Sequence, residues 1–385
     1  MRILRLIPYF SEFFGGPVNH VRMLTEELDR LGHDTVLYTT DLANKDGQTR
    51  SFDENGKTVR AFPVRWRMGE YFYTPQMRAS LEREDFDIVH AHCYRNYQAD
   101  IAAWISRKTG KPLVFTAHGT LVRMASLKDR LIKRFYDLVS RRAVLQQSSR
   151  VIALSQQEID QYCSHGVSDT RIVQIYHGID ESTFSPAPDG NGMRKELGLG
   201  SRPVVLYAGR IHERKGLQHL LPAFREVLKE CPQAVLVVCG PDYGYRGVLE
   251  RIVRGLSISK NVVFMGQVEH DRMPAVYNSC DVVVLPAAYE VFGHVLAEAA
   301  ACGKPIVATE WGWAAEFFEN EKDALLIGRY GDVTGLTNAI LTLLRDPGLR
   351  DRLGRAAHEK VLHRLSWKDC ATEHLRTYEH LLNAA

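Results

Sequence analysis

The stretch Asp281–Thr309, DVVVLPAAYEVFGHVLAEAAACGKPIVAT, constrains this chain more than any other. Asp281–Leu285 is a short apolar, β-branched run, the pattern of a buried strand. Pro286 ends it, Glu290 falls in a loop, and Gly293 permits a tight backbone turn. Small apolar residues carrying Glu298 then make a helix, which Gly303 and Pro305 stop before the next strand, PIVAT. The amides of Phe292, Gly293 and His294 fall at the helix N-terminus, which suits a bound phosphate. Glu290 and Glu298 are carboxylates that can accept hydrogen bonds from sugar hydroxyls. A buried helix of any α/β domain, with its glutamates solvated, accounts for the same letters.

The alternation of strand and helix recurs along the chain. Met1–Pro8 reads as a first strand, followed by the loop SEFFGGPVNH, a helix from Pro17 to about Leu31 closed by Gly32, and the strand DTVLYTT. Further strands are IVHAH, PLVFTAH, RVIALS and IVQIYHGI. A polar segment, PAPDGNG, reads as a linker, with a domain boundary near Ser185. The pattern then restarts with PVVLYAG, a helix over 217–231, AVLVVCG, a helix to about Gly255, NVVFMG and a helix over 271–280. Alternation of this kind implies parallel sheets. The expected division is 1–185, 186–365 and a terminal helix over 366–385.

Three loops at strand ends carry candidate chemistry. Gly209–Gly216, GRIHERKG, sets Arg210 and Lys215 between glycines ahead of a helix, a suitable diphosphate clamp. Gly15 and Gly16 lie at a strand-to-helix turn that lets backbone approach a phosphate, but without the G-x-G-x-x-G spacing of a dinucleotide site. His118 follows the end of PLVFTAH, where open α/β sheets bind ligands. It is placed either to direct a donor at a substrate or to cap the next helix. His90 and His92 read as locally packed or hydrogen-bonded side chains.

Pro286, Glu290, Phe292, Gly293, Glu298, Ala299, Gly303 and Pro305 closely resemble the E-x7-E signature of a large family of retaining GT-B glycosyltransferases. This is the family 4-like set, the glycosyl transferases group 1. Gly209–Gly216 matches the family's G-R-x-x-x-x-K-G signature. HGIDESTF resembles its inter-domain N-G-x-D-x-x-x-F segment, with His177 in place of asparagine. The resemblance covers nearly the whole chain and implies an α/β GT-B fold: two Rossmann-like domains with parallel sheets facing a cleft. It implies transfer of a sugar from a UDP- or GDP-sugar to a hydroxyl acceptor with retention, in polysaccharide, glycolipid or other glycoconjugate synthesis. By the resemblance, Arg210 and Lys215 bind the diphosphate and Glu298 the ribose. Glu290 and His118 contact the transferred sugar, Gly15 and Gly16 close over the phosphates, and Val268 offers backbone contacts to the base. The last helix is expected to cross back to the first domain. A pair usually Gly-Gly is here Gly312-Trp313, and Trp311 and Trp313 either stack on an acceptor sugar or pack.

Composition narrows the partners. The 49 basic and 46 acidic residues leave 49 − 46 = +3, too little to argue for nucleic acid. No run of about 18 apolar residues or signal-peptide pattern is present, and seven scattered cysteines without C-x-x-C read as reduced thiols of a cytoplasmic protein. No metal or other cofactor is expected, since Asp85 and Asp87 precede the strand IVHAH rather than end one. The basic stretch 121–142, with Lys133, Arg134, Arg141 and Arg142, is either a solvated helix face or a peripheral contact with anionic lipid. The acceptor is a glycan, a lipid-linked or a small hydroxyl compound. A GT-B epimerase or hydrolase, and a sugar-binding protein without catalysis, are the alternative readings.

Overall fold

The computed structural model describes residues 1–10, 15–42, 48–54, 57–69, 71–122, 133–134, 136–138, 140–187 and 190–384. Two compact units divide the chain: Met1–Gly178 with Trp367–Ala385, and Ile179–Ser366. The sequence placed a boundary near Ser185; the chain passes between units at Gly178–Ile179 and again at Ser366–Trp367.

In the first unit the strands are β1 (Arg2–Leu6), β2 (Asp34–Asp41), β3 (Arg50–Glu54), β4 (Lys57–Pro63), β5 (Trp66–Met68), β6 (Tyr71–Tyr73), β7 (Ile88–His92), β8 (Leu113–Thr116), β9 (Arg150–Ala153) and β10 (Ile172–Gln174). Eight of them form one sheet in the order β10-β9-β8-β7-β1-β2-β4-β3. Its pairs are parallel except the β3–β4 edge, and β5–β6 is a separate antiparallel ribbon. Leu4, Leu6, Val89, Phe115 and Val151 pack into one core on this sheet. Ile3, Ile88, Val114 and Ile152, which alternate with them, pack with Trp367, Cys370, Ala371, Leu375 and Tyr378 of the C-terminal helix. Strands covered on both faces are continuously apolar, which is why their sequences do not alternate.

The second unit holds β11 (Val204–Ala208), β12 (Val235–Cys239), β13 (Val262–Gly266), β14 (Val282–Leu285), β15 (Ile306–Thr309) and β16 (Leu325–Ile327). They form a wholly parallel sheet in the order β13-β12-β11-β14-β15-β16. Each sheet reverses its winding once, at β1/β7 and at β11/β14. Ligands of doubly wound sheets bind outside the strand ends at such points.

Some elements differ from their sequence reading. IVQIYHGI pairs only over Ile172–Gln174, with Ile179 instead bridging Ser366. The helix read over 271–280 is a 3₁₀ turn, His270–Arg272, followed by Met273–Asn278. Within the basic stretch, residues 123–132, 135 and 139 lie outside the described residues. Leu138, within this stretch, is 80% exposed. Residues 11–14 of the first loop and 188–189 of the linker also lie outside the described residues.

Candidate active site

In the second unit the loops after β11 and β14 are held together by their backbones. The Ala288 amide donates to the Arg214 carbonyl at 2.8 Å. Gly216, at φ 79°, caps the Leu217–Glu230 helix so close to the other loop that a Cβ there would sit 1.9 Å from the Pro286 carbonyl oxygen. Only glycine combines that backbone angle with that approach. The contact brings the Lys215 ammonium onto the Glu290 carboxylate as a largely buried ion pair. Arg210 is exposed, its guanidinium carbon 5.3 Å from the Tyr243 ring centroid, while the Tyr207 hydroxyl donates to the Arg210 carbonyl at 2.8 Å.

Gly293 is the N-cap residue of the His294–Ala301 helix, as the sequence implies. Phe292 is buried against Trp313, ring centroids 4.7 Å apart, and Trp313 stacks on Phe317 at the same distance. Trp313 therefore packs in the core and its amide donates to the Glu290 carbonyl at 3.1 Å. Trp311 is 54% exposed. His294 is held neutral, its pKa pushed down to about 3 by burial and by His270 and Lys215. Glu298, on the same helix, is buried and its carboxyl is pushed up to about 7 by lost hydration, opposed by a 2.7 Å hydrogen bond from the Tyr277 hydroxyl. Val268 lies half-buried in the loop after β13. The second unit thus gathers a cation, two carboxylates and a helix N-terminus around the ends of β11 and β14.

The first unit carries its own constellation at the β1/β7 reversal. Gly15, at φ 65°, starts the Gly16–Arg30 helix. That helix brings His20 to within 5.1 Å of His118, ring to ring, and to 3.9 Å of His177 in a stacked arrangement. His118 itself is in the left-handed region, φ 51°, a conformation uncommon outside glycine. Glu158 secures the turn from beneath: it accepts from the Gly119 amide at 2.7 Å and from the Leu154 amide at 2.9 Å. Burial raises the Glu158 carboxyl to about 7 despite these two donors.

Sequence reasoning left His92 as a locally packed residue. Parallel pairing of β7 with β8 sets His92 beside Thr116, and its Nδ1 lies 3.0 Å from His118 Nε2. His90, also read as local, bonds Thr116 on the neighbouring strand and Tyr378 on the C-terminal helix. Arg5, His20, Glu158 and Tyr277 carried no usable signal, and His177 stood out only as the departure from asparagine in the inter-domain motif. Only tertiary packing gives these residues their partners. Asp85 and Asp87 precede β7; Lys111 lies 3.4 Å from Asp85, and Asp87 accepts from the Arg2 amide at 2.7 Å. Among the described residues no helix is long and apolar enough to cross a membrane.

Comparison with known proteins places both units. Residues 14–183 match the profile described as Glycosyltransferase Family 4, and residues 191–360 that of Glycosyl transferases group 1. An uncharacterized glycosyltransferase of Methanocaldococcus jannaschii is 26% identical over 96% of each chain. A D-inositol 3-phosphate glycosyltransferase of Corynebacterium jeikeium is 31% identical over 78% of this chain and 74% of its own. The crystal structure of Anabaena HepE in complex with UDP and glucose superposes with a TM-score of 0.82 over 99% of this chain and 100% of that one, at 22% identity. The fold is that of the GT-B glycosyltransferases, as the signatures implied.

Proposed function

The chain belongs to the glycosyl transferases group 1, and on that footing we propose that it moves a sugar from a UDP- or GDP-sugar to a hydroxyl acceptor with retention at the anomeric carbon. The observation that carries the reading is the joining of the Gly209–Gly216 and Pro286–Gly293 loops, which sets Lys215 against Glu290 at the sheet reversal. Arg210 and Lys215 take the diphosphate, Glu298 the ribose, and Glu290 and His118 the transferred sugar. Gly15 and Gly16 approach the phosphates through backbone, Val268 meets the base, and the amides at Phe292, Gly293 and His294 add fixed dipoles. The complex of HepE with UDP and glucose supports a nucleotide-sugar donor. The Corynebacterium jeikeium relative, a D-inositol 3-phosphate glycosyltransferase, supports a polyol hydroxyl as acceptor.

The chemistry assigned to the protein is electrostatic. Negative charge grows on the leaving diphosphate as the glycosidic bond breaks. A fixed cation beside it binds the transition state more strongly than the intact donor. Glu290 neutralises Lys215 and holds its ammonium in place. Retention follows a front-face path in which the leaving diphosphate takes the acceptor proton.

The deciding experiment incubates the protein with UDP- and GDP-sugars and a panel of polyol and glycoside acceptors, and reads product linkage by proton NMR. An α-linked product from an α-linked donor supports the proposal. Inversion, or donor hydrolysis or epimerisation with no acceptor product, would overturn it.

A further inference from the structure

Arg5 lies fully buried on β1, where it donates to the Val21 carbonyl at 3.0 Å and to Thr25 Oγ1 at 2.8 Å. Its other terminal nitrogen lies 3.2 Å from Nε2 of His92. A guanidinium has hydrogens and no lone pair to offer, so His92 Nε2 must be the acceptor. An accepting Nε2 in a neutral ring puts the proton on Nδ1. Nδ1 of His92 is then a donor, and it lies 3.0 Å from Nε2 of His118. That nitrogen must accept in turn, which leaves the His118 proton on Nδ1.

We infer that Arg5 and His92 are positioning residues for His118: the chain Arg5–His92–His118 holds His118 as the Nδ1–H tautomer. The inference rests on the reading of His118 as a contact of the transferred sugar. In that role the locked tautomer fixes the ring's orientation toward the sugar: Nε2 is turned onto His92 and Nδ1–H into the protein. The other groups at His118 agree with a fixed ring. Its backbone is held in the left-handed region, and the amide after it is bound by Glu158. Burial keeps His92 neutral, with Arg5 and His90 adding to the effect, and Arg5 itself falls only to about 10 and stays charged at neutral pH.

A metal ion is the rival use of this cluster, since ring nitrogens of His20, His92 and His118 all lie within 4.8 Å of one another. Coordination needs a lone pair directed at the ion from each ring. On His92 the Nε2 lone pair faces Arg5. Freeing the Nδ1 lone pair instead would turn Nε2–H onto the guanidinium, donor against donor. The hydrogen-bonded tautomer chain fits these atoms and a metal does not.

The test is ring-nitrogen NMR on the full-length protein labelled with ¹⁵N-histidine, each signal assigned by its loss in the His92→Asn and His118→Asn variants. The expected result is a pyrrole-type Nδ1 and a pyridine-type Nε2 on both rings. Arg5→Met removes the terminal donor, so both rings should redistribute toward Nε2–H. The variant's kcat should fall by about tenfold, the effect of one lost hydrogen bond, with UDP affinity unchanged. Arg5→Lys, which again offers only donors, should restore the tautomers and most of the rate. A protonated Nε2 on either wild-type ring would overturn the inference, as would stoichiometric shifts of the His20, His92 and His118 signals on adding Zn²⁺. Expected tautomers in a protein that turns over no nucleotide-sugar would sink the functional reading alone.

Discussion

At the scale of single residues, charge and burial set the expectations. Arg210 and Lys215 are assigned to the leaving diphosphate, so Arg210→Ala and Lys215→Ala should each lower kcat by on the order of a hundredfold, with donor KM much less affected. Steady-state kinetics at saturating acceptor decide this; raised KM at normal kcat would make both residues ordinary binders. Lys215→Ala also strips Glu290 of its ion-pair partner. Glu298 gives a pH signature. Burial raises its carboxyl to about 7, whereas ribose hydroxyls donating to the carboxylate favour the charged form and so lower that value. Donor binding near pH 7 should therefore release protons, and affinity for UDP-glucose should rise from pH 6 to pH 8. Calorimetry in two buffers of different ionisation enthalpy measures the release directly, and proton uptake would contradict the assignment. The Glu298→Gln protein should show neither effect.

At the scale of elements, the site depends on how closely two loops approach. Gly216→Ala places a methyl group against the Pro286 carbonyl and asks alanine to adopt φ 79°. Backbone strain of this kind costs about 1–3 kcal/mol, and the clash adds to it. The expected outcome is a lower denaturation midpoint together with a fall in turnover larger than the loss of folded protein explains. Unchanged stability would mean that the loops can part freely. Much at this scale was readable beforehand. Continuous β-branched runs marked Val204–Ala208, Val235–Cys239 and Val282–Leu285, because strands covered on both faces need no polar alternation. The antiparallel β3–β4 edge was not foreseen, and neither was the shortness of β10. Edge strands carry weaker patterns, and Tyr176–Gly178 retains strand-like letters where the chain leaves the sheet.

At the scale of the molecule, the terminal helix is structural rather than accessory. Trp367, Cys370, Ala371 and Tyr378 cover Ile3, Ile88, Val114 and Ile152, and a Cβ on Gly178 would fall 2.5 Å from the Trp367 ring. Deleting residues 367–385 uncovers one face of the first sheet, so the shortened chain should be recovered aggregated or without a cooperative melting transition. A soluble shortened chain with the parent melting temperature would contradict this. The proposed chemistry also uses no metal. Activity should persist in EDTA, measured after exhaustive chelation; complete loss restored by Mn²⁺ or Mg²⁺ would require carboxylate ligands that the proposal does not contain.

The fold class, the two signatures and the glycosyltransferase family were determined by the sequence alone, because each depends on letters close together in the chain. Strand, turn and helix N-terminus are local events, and Glu290, Gly293 and Glu298 are spaced by one loop and one helix. The histidine chain was decided by tertiary structure. Arg5, His92 and His118 stand on three separate strand ends, and only the strand order β8-β7-β1 makes them neighbours. Their protonation was beyond the sequence as well. A tautomer depends on which partner faces each ring nitrogen, and burial, which composition does not reveal, raises Glu158 and Glu298 while lowering His92 and His294.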